Sequence, residues 1–409
     1  MIRETEVEPH PMQRHLAFVG RDGAGHINPT LPVVAELVRR GHRVTYAVGA
    51  PFAEAVRQAG AGYLPLPEND LGGGQAGQSA MRNADVVAMI AGMLLDRTGR
   101  ELPVLRDGFA ADRPDAVCYD GSSVSGAMLA ELLGVPAVQL VPTFAANAHY
   151  SLLDEFVPDP ERLAASEAAA DARVRAYGAT LGITRTLGTA LTRTAADLNI
   201  VFVPRRFQYH GETFGDDYVF VGPSGHDRVV AAGWEPPVAG TPLLFVALGT
   251  MMNQHPEFFR LCIDAFAGTG WQVAMAVGTR VDPAELGEIP PNVEVRPYFP
   301  QLEVLAHARV FVTHAGMNSA MEAILHRVPT VSVPQTPEQV ANARRLDELG
   351  LGVTLPEQTA AALRDAVTAM DTSDVVRGNL ADLARHVQEA GGAVAAADAV
   401  EKLWTPTGG

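Results

Sequence analysis

The chain is 409 residues long, too long for one compact core, and suits two domains of about 200 residues each. Its 47 acidic against 31 basic residues leave a formal net charge of −16, which excludes the basic footprint that a nucleic-acid backbone requires. Two cysteines, Cys118 and Cys262, can build neither a disulfide framework nor a zinc site, and no apolar run of about 18 residues offers a membrane span, so a reduced, cytosolic protein is expected.

Residues 1–14 carry Glu4, Glu6 and Glu8 with no apolar stretch and are expected to form a disordered tail, not a signal peptide. The apolar run His15 to Val19 reads as a strand that ends in the Gly-rich loop Gly20 to Gly25. A helix is predicted from Asn28 as N-cap and Pro29 in the first turn, through Leu31, Val34, Leu37 and Val38, to a stop at Gly41. His42 to Val48 is a second strand, completing the strand–loop–helix–strand opening of a doubly wound α/β domain. The pattern continues as a strand over Ala116 to Tyr119, a helix over Val124 to Leu133 and a strand over Pro136 to Val141. Residues 161–200 are Ala-rich and are expected to be helical, whereas the Gly- and Gln-rich Gly72 to Ser79 reads as a loop.

A second α/β pattern begins at Pro242 to Leu248, followed by Gly249 and Thr250. It proceeds through a helix from Glu257 to Ala267 and strands at Trp271 to Val277, Val293 to Val295, Val310 to Thr313 and Thr330 to Val333. The Pro- and Gly-rich stretch between the patterns suits a linker. Two Rossmann-like domains are therefore expected, 15–220 and 241–390, joined by 221–240, with 391–409 forming a C-terminal helix that packs back on the first domain. Dinucleotide dehydrogenases share this outline, so the fold alone does not fix the function.

Chemistry concentrates between Tyr298 and Asn342. A strand ending at Thr313 and a helix beginning near Asn318, with Gly316 allowing the tight turn, make an anion site from free N–H groups and the positive end of the helix dipole. His314, Asn318 and Ser319 can donate to phosphate, and Glu322 can accept from ribose hydroxyls. Taken singly, Asn318 or Ser319 could equally serve only as a cap for its own helix. In the first half, Gly25-His26-Ile27-Asn28-Pro29 is a poor dinucleotide fingerprint, because position 28 would have to be Gly. An imidazole with a pKa of about 6.5 at the end of that loop suits proton abstraction near neutral pH. Asp120, at the carboxyl end of its strand, could orient His26 or could merely cap the helix at 124. No Asp-x-Asp motif is present to hold a divalent ion on a sugar diphosphate, so no metal and no cofactor is expected.

These motifs resemble the family 1 glycosyltransferases of the GT-B fold, whose donor signature runs W-x-P-Q, then H-x-G-x-x-S-x-x-E, then P-x-x-x-D/E-Q. The match spans Tyr298 to Gln301, His314 to Glu322 and Pro334 to Gln339. The resemblance implies that Tyr298, in place of Trp, stacks on the donor base beside Gln301. It implies that Thr250, His314, Gly316, Asn318 and Ser319 hold the diphosphate, Glu322 the ribose, and Glu338 and Gln339 the sugar hydroxyls. It also makes His26 the general base and Asp120 its partner. Beyond Arg14 the chain looks most like the bacterial macrolide and enediyne branch, closest to the calicheamicin type. That implies an inverting, metal-independent transfer from a dTDP- or UDP-sugar to a hydroxyl of an apolar natural-product aglycone, in antibiotic biosynthesis. The alternative is a UDP-glucose-dependent enzyme that inactivates a macrolide, since Glu338 and Gln339 suit a sugar with free hydroxyls. Candidate acceptor contacts are Met89 and Met93, on a Met-rich segment that also includes Met81, and Phe144, His149 and Tyr150. An NAD-dependent oxidoreductase, a sugar-nucleotide epimerase and a non-catalytic relative fit less well. No further partner is implied beyond the nucleotide sugar and the aglycone, and the chain is expected to be a monomer or homodimer.

Overall fold

The computed structural model describes residues 13–68, 86–157, 159–189, 191–224, 233–249 and 254–405. Two all-parallel sheets organise it. The first contains β1 (His15–Val19), β2 (Arg43–Val48), β3 (Gly62–Pro65), β4 (Ala116–Asp120), β5 (Ala137–Val141), β6 (Leu198–Val201) and β7 (Tyr218–Phe220), in the spatial order β3-β2-β1-β4-β5-β6-β7. The second contains β8 (Leu243–Ala247), β9 (Gln272–Ala276), β10 (Val293–Arg296), β11 (Val310–Thr313), β12 (Thr330–Ser332) and β13 (Gly352–Thr354), in the order β10-β9-β8-β11-β12-β13. The order reverses between β1 and β4 in one sheet and between β8 and β11 in the other. In open α/β sheets such switch points, at the carboxyl ends of the strands, are where ligands bind.

The central strands are buried on both faces because helices cover both, and this is why they read as unbroken apolar runs. Along β1, Leu16 and Phe18 face a core shared with Leu31–Arg39, while Ala17 and Val19 face one shared with Val86–Ala110 and Val124–Leu133. Along β8, Leu244 and Val246 point to one core and Leu243, Phe245 and Ala247 to the other. This is the period-2 alternation of a strand.

A further core straddles the two halves. Phe144, Tyr150, Phe207 and Tyr209 from the first half pack with Met317, Met321, Ala341 and Leu380 from the second. Phe144 and Phe207 stack at 5.7 Å, and Tyr209 donates its hydroxyl to the Ala341 carbonyl at 3.0 Å. Arg345 donates to the Phe207 carbonyl at 2.9 Å, and Arg344 pairs with Glu155. At about 1.5–3 kcal/mol per buried large side chain, the apolar contacts outweigh the half-exposed ion pair as the adhesive of this joint.

The helix Gly392–Glu401 lies on the first half. Ala396, Ala397 and Val400 enter its core, Gly392 donates its backbone N–H to the Val221 carbonyl, and Arg40 reaches Asp398 and Glu401 at 2.6 Å each. The connecting stretch is anchored at both ends, by Val221 in the first core and Trp234 in the second.

Three local expectations are corrected. Arg14 does not belong to a free tail: its N–H donates to His42 Nδ1 at 3.2 Å, and its guanidinium pairs with Asp115 and lies over the Trp404 ring. The first long helix is Leu31–Arg39, because a separate turn, Ala24–Ile27, intervenes; Thr30, not Asn28, precedes the helix, and Pro32 occupies its first turn. Helix Pro160–Thr180 stops well short of 200, since Gly182 takes φ +81° and the Thr-rich segment that follows leads into β6. The Gly72 to Ser79 loop lies outside the described residues.

Candidate active site

At the switch point of the first sheet, the chain leaves β1 at Gly20 and makes the helical turn Ala24–Ile27, which carries His26. Asp120 is the last residue of β4, one strand away. His26 Nδ1 lies 2.7 Å from Asp120 Oδ2. The other carboxylate oxygen, Oδ1, accepts the Ser122 backbone N–H at 2.9 Å and the Ser122 hydroxyl. The question of a helix cap resolves in favour of the next residue but two: Ser123 caps Val124–Leu133 by accepting from the Gly126 N–H at 3.2 Å, which leaves Asp120 to His26. Asp120 is only 4% exposed. Burial alone would raise its pKa, but the His26 contact, the Ser122 donors and the Arg21 charge together hold it below the usual carboxylate range. A carboxylate at Nδ1 fixes the proton on that nitrogen and leaves the lone pair on Nε2. The His26 side chain is 28% exposed, and the Nε2 lone pair faces Arg21 Nη1, which can donate to it at 3.3 Å.

A buried polar chain braces the two loops. Arg97 donates to the Gly20 carbonyl at 3.0 Å and to Glu101 at 2.5 Å; Ser125 donates to Glu101 at 2.6 Å and lies 3.1 Å from Ser123. Sequence reading passed over these residues and over Arg21 and Ser122. The available signal was an Arg and a Glu at i, i+4 on a helix whose neighbours Leu102 and Leu105 are core.

At the second switch point, β11 ends at Thr313 and the helix Met317–Leu325 follows without a side-chain cap, so its first N–H groups are available to an anion. The residue that makes the tight turn is Ala315, at φ +59°, not Gly316, whose φ of −62° any residue can adopt. Asn342, fully buried, holds the Ala315 carbonyl at 2.9 Å. Gly316 is needed for space instead: a Cβ there would sit 2.5 Å from His314 Nε2, and one on Gly249 would sit 2.7 Å from it. His314 is thus wedged between bare backbone from β8 and β11. Burial lowers its pKa to about 4, only partly opposed by a hydrogen bond to the Ala247 backbone. At neutral pH this imidazole is uncharged.

Around that helix, Gln301 donates to Glu322 at 2.6 Å and to Ser319 at 3.2 Å, so these three residues converge. Tyr298 is 60% exposed and its ring is free to stack. Asn318 is half-buried one turn before Glu322. Glu338, also half-buried, and Gln339 open the helix Pro337–Glu348; the Gln339 side chain accepts the Gln335 N–H at 2.8 Å, and Thr336 caps the same turn. Thr250 and Met81 lie outside the described residues. Among the described residues, no three His, Cys, Asp or Glu side chains cluster as metal ligands would.

The acceptor-side expectations divide. Met93 is exposed and Met89 half-buried against the core. Phe144 and Tyr150 are 4% and 5% exposed and pack on Tyr209 at the joint between the halves, and of the two only Tyr150 reaches the wall of a cavity. His149 is exposed and lines an interdomain cavity of about 1040 Å³ with Tyr150, Arg206, Tyr209 and Glu348, to which neither His26 nor His314 contributes.

Comparison with known proteins agrees with this architecture. The family model described as UDP-glucoronosyl and UDP-glucosyl transferase matches residues 239–387, which carry the second switch point. The chain is 39% identical to the NDP-glycosyltransferase YjiC of Bacillus licheniformis, covering 97% of this chain and 99% of that one. It is 35% identical to the oleandomycin glycosyltransferase of Streptomyces antibioticus, covering 95% and 90%. The solved structure of the calicheamicin glycosyltransferase CalG4 superposes with a TM-score of 0.83 at 34% identity, over 97% of this chain and 100% of that one. Among the described residues no helix is long and apolar enough to cross a membrane. With this fold, these switch points and these relatives, the chain belongs to the family 1 glycosyltransferases of the GT-B fold and is a glycosyltransferase of the macrolide and natural-product type.

Proposed function

We propose that the enzyme transfers a sugar, with inversion and without a metal, from a nucleoside diphosphate donor to a hydroxyl of an apolar natural-product acceptor. The observation that carries this reading is the His26–Asp120 pair: an imidazole with its proton committed to a buried carboxylate and its lone pair left on the part-exposed Nε2, beside Arg21. The acceptor hydroxyl gives its proton to His26 Nε2 while its oxygen bonds to the anomeric carbon. The bond from that carbon to the diphosphate breaks, and the electron pair leaves with the diphosphate. Asp120 offsets the imidazolium that forms. The open N–H groups before and within Met317–Leu325 and the neutral His314 ring steady the departing diphosphate. Ser319 suits the diphosphate and Glu322 the ribose of the donor, both pre-arranged by Gln301, and Tyr298 suits its base.

For the donor, we favour a dTDP-deoxysugar in a biosynthetic role, on the likeness to calicheamicin and macrolide enzymes. The relative named demethyllactenocin mycarosyltransferase from Streptomyces fradiae, 35% identical, supports that side. A UDP-glucose-dependent enzyme that inactivates a macrolide is the second reading, favoured by Glu338 and Gln339 at the start of one helix. Titration calorimetry with UDP, dTDP and GDP in excess chelator tests donor class and metal independence together. Binding that disappears on chelation overturns the metal-free mechanism, and an α-linked product from an α-linked donor, read by NMR, overturns inversion.

A further inference from the structure

Arg21 is the cationic side chain at the lone pair of His26, and the transfer steps above leave it unused. Its Nη1 stands 3.3 Å from His26 Nε2. Among the described residues its guanidinium forms no ion pair with a carboxylate. Asp22, beside it in sequence, is turned away to accept the Gly49 N–H at 2.9 Å, and Asp120 is occupied by His26 and Ser122. A positive charge that pairs with no carboxylate among the described residues, and whose contact is with His26 Nε2, therefore sits where the acceptor oxygen must arrive.

That oxygen has to come within about 2.8–3.0 Å of Nε2 to surrender a proton. Two nitrogens 3.3 Å apart can both lie at that distance from one oxygen, so Arg21 can donate to the same atom that His26 deprotonates. Two effects follow, and both favour the same acceptors. A guanidinium N–H to an oxyanion is a charge-assisted hydrogen bond, stronger than one to a neutral hydroxyl. The same positive charge opposes formation of an imidazolium next to it. An aliphatic alcohol needs His26 to take a full proton and so meets the penalty. An acceptor that arrives ionised needs no such transfer and gains the bond.

The geometry points to Arg21 as a specificity-determining residue that selects acceptors with an acidic transferring oxygen, a phenol or a carboxylic acid, over aliphatic alcohols. For the ionised acceptor the oxygen–anomeric carbon bond forms and the carbon–diphosphate oxygen bond breaks as before; the acceptor proton has already gone to solvent. This rests on the glycosyl-transfer mechanism proposed for His26.

The test compares kcat/KM for a naphthol and for the matched naphthylmethanol at a pH close to the naphthol's own pKa, where a large share of it is ionised, with UDP-glucose and dTDP-glucose as donors. Wild type should prefer the naphthol. Arg21→Gln should lower the naphthol-to-naphthylmethanol ratio by roughly 10- to 100-fold, the worth of one hydrogen bond to a charged group. Arg21→Lys, which keeps the charge and loses the fork, should restore part of it and provides a second variant if the Gln protein folds poorly. A wild type that favours the naphthylmethanol, or a ratio that neither substitution moves, overturns the role of Arg21 while leaving transfer intact. A wild type that glucosylates neither acceptor overturns the selection ascribed to Arg21, whereas the transfer mechanism stands or falls separately, on whether His26→Ala loses transfer.

Discussion

The two halves of the molecule use one strand order and place a histidine at each switch point, yet give the two imidazoles opposite surroundings. In the first half the first strand leads to His26 and the fourth ends on Asp120. In the second half the first strand leads to Gly249 and the fourth to His314. One ring therefore faces a buried carboxylate and the other faces bare backbone. His26 is part-exposed and has a charge waiting to stabilise its protonated form; His314 has none, and burial holds it neutral. The same side chain becomes a proton acceptor in one half and an uncharged contact in the other. The difference is made by the residue on the neighbouring strand, not by the topology.

The strongest way to break this contrast is to delete the ring that is expected to change charge. His26→Ala should reduce transfer by about 10²–10⁴, the range for loss of general-base assistance, while nucleotide diphosphate affinity stays near wild type. Asp120→Asn should reduce transfer by less and spare donor affinity. Its amide cannot offset the imidazolium, and an NH₂ turned to Nδ1 would move the ring proton onto Nε2. Single-turnover rates and calorimetric titrations separate the two readouts; a loss of donor affinity in either variant would contradict the division of labour.

His314→Ala should do the reverse, weakening nucleotide diphosphate binding by roughly 1.5–3 kcal/mol if one hydrogen bond to a charged group is lost. Unchanged affinity would remove His314 from the site. Gly316→Ala sharpens the same point. The backbone at 316 tolerates Ala, so the substitution acts only through the 2.5 Å approach to His314. An overpacking cost of about 1–3 kcal/mol should appear as displacement of the ring, with weaker donor binding and a lower Tm. Equal donor affinity in wild type and Gly316→Ala would mean that the ring position does not matter.

How much of this was legible beforehand follows the physics of each region. The central strands β1, β4, β5, β8 and β11 were readable because burial on both faces forces a continuous apolar run. The edge strands β3, β7 and β13 were not, being only three or four residues long and partly exposed; β3 also ends in Pro65, as an edge tolerates. β6 was hidden by the Ala-rich composition before it, its buried Asn199 satisfied by the backbone of Ala196 and of the more distant Asp217. In the site, His26 was legible because it follows a strand and a glycine-bearing loop, and His314 because it stands between the end of a strand and the glycine that precedes a helix. The turn at Ala315 was misassigned because Gly316 is the residue that local rules favour, whereas the left-handed backbone is held by Asn342, 27 positions on. Arg21, Arg97 and Glu101 act through contacts that only the folded chain creates. Phe144 reads as a binding surface because aromatic residues that join domains carry the same local signature as those that meet a ligand.

The smallest expected effect tests the neutral state of His314 directly. Its folded pKa of about 4 lies below the ordinary value of about 6.5 that the unfolded chain should show. Between those values the unfolded state binds more protons than the folded one, so stability rises with pH through that window. The contribution is fully present above about pH 6.5 and is lost progressively as pH falls to about 4. From pH 7 to 5.5 the loss from this one group should be about 1 kcal/mol. His314→Gln keeps a polar side chain of similar reach that does not titrate, and should flatten that part of the stability profile even if it lowers stability overall. Urea midpoints for both proteins at pH 7 and pH 5.5 give the comparison. A wild-type profile parallel to that of His314→Gln would show that the second imidazole is not held neutral by burial, and the contrast between the two halves would fail at its physical root.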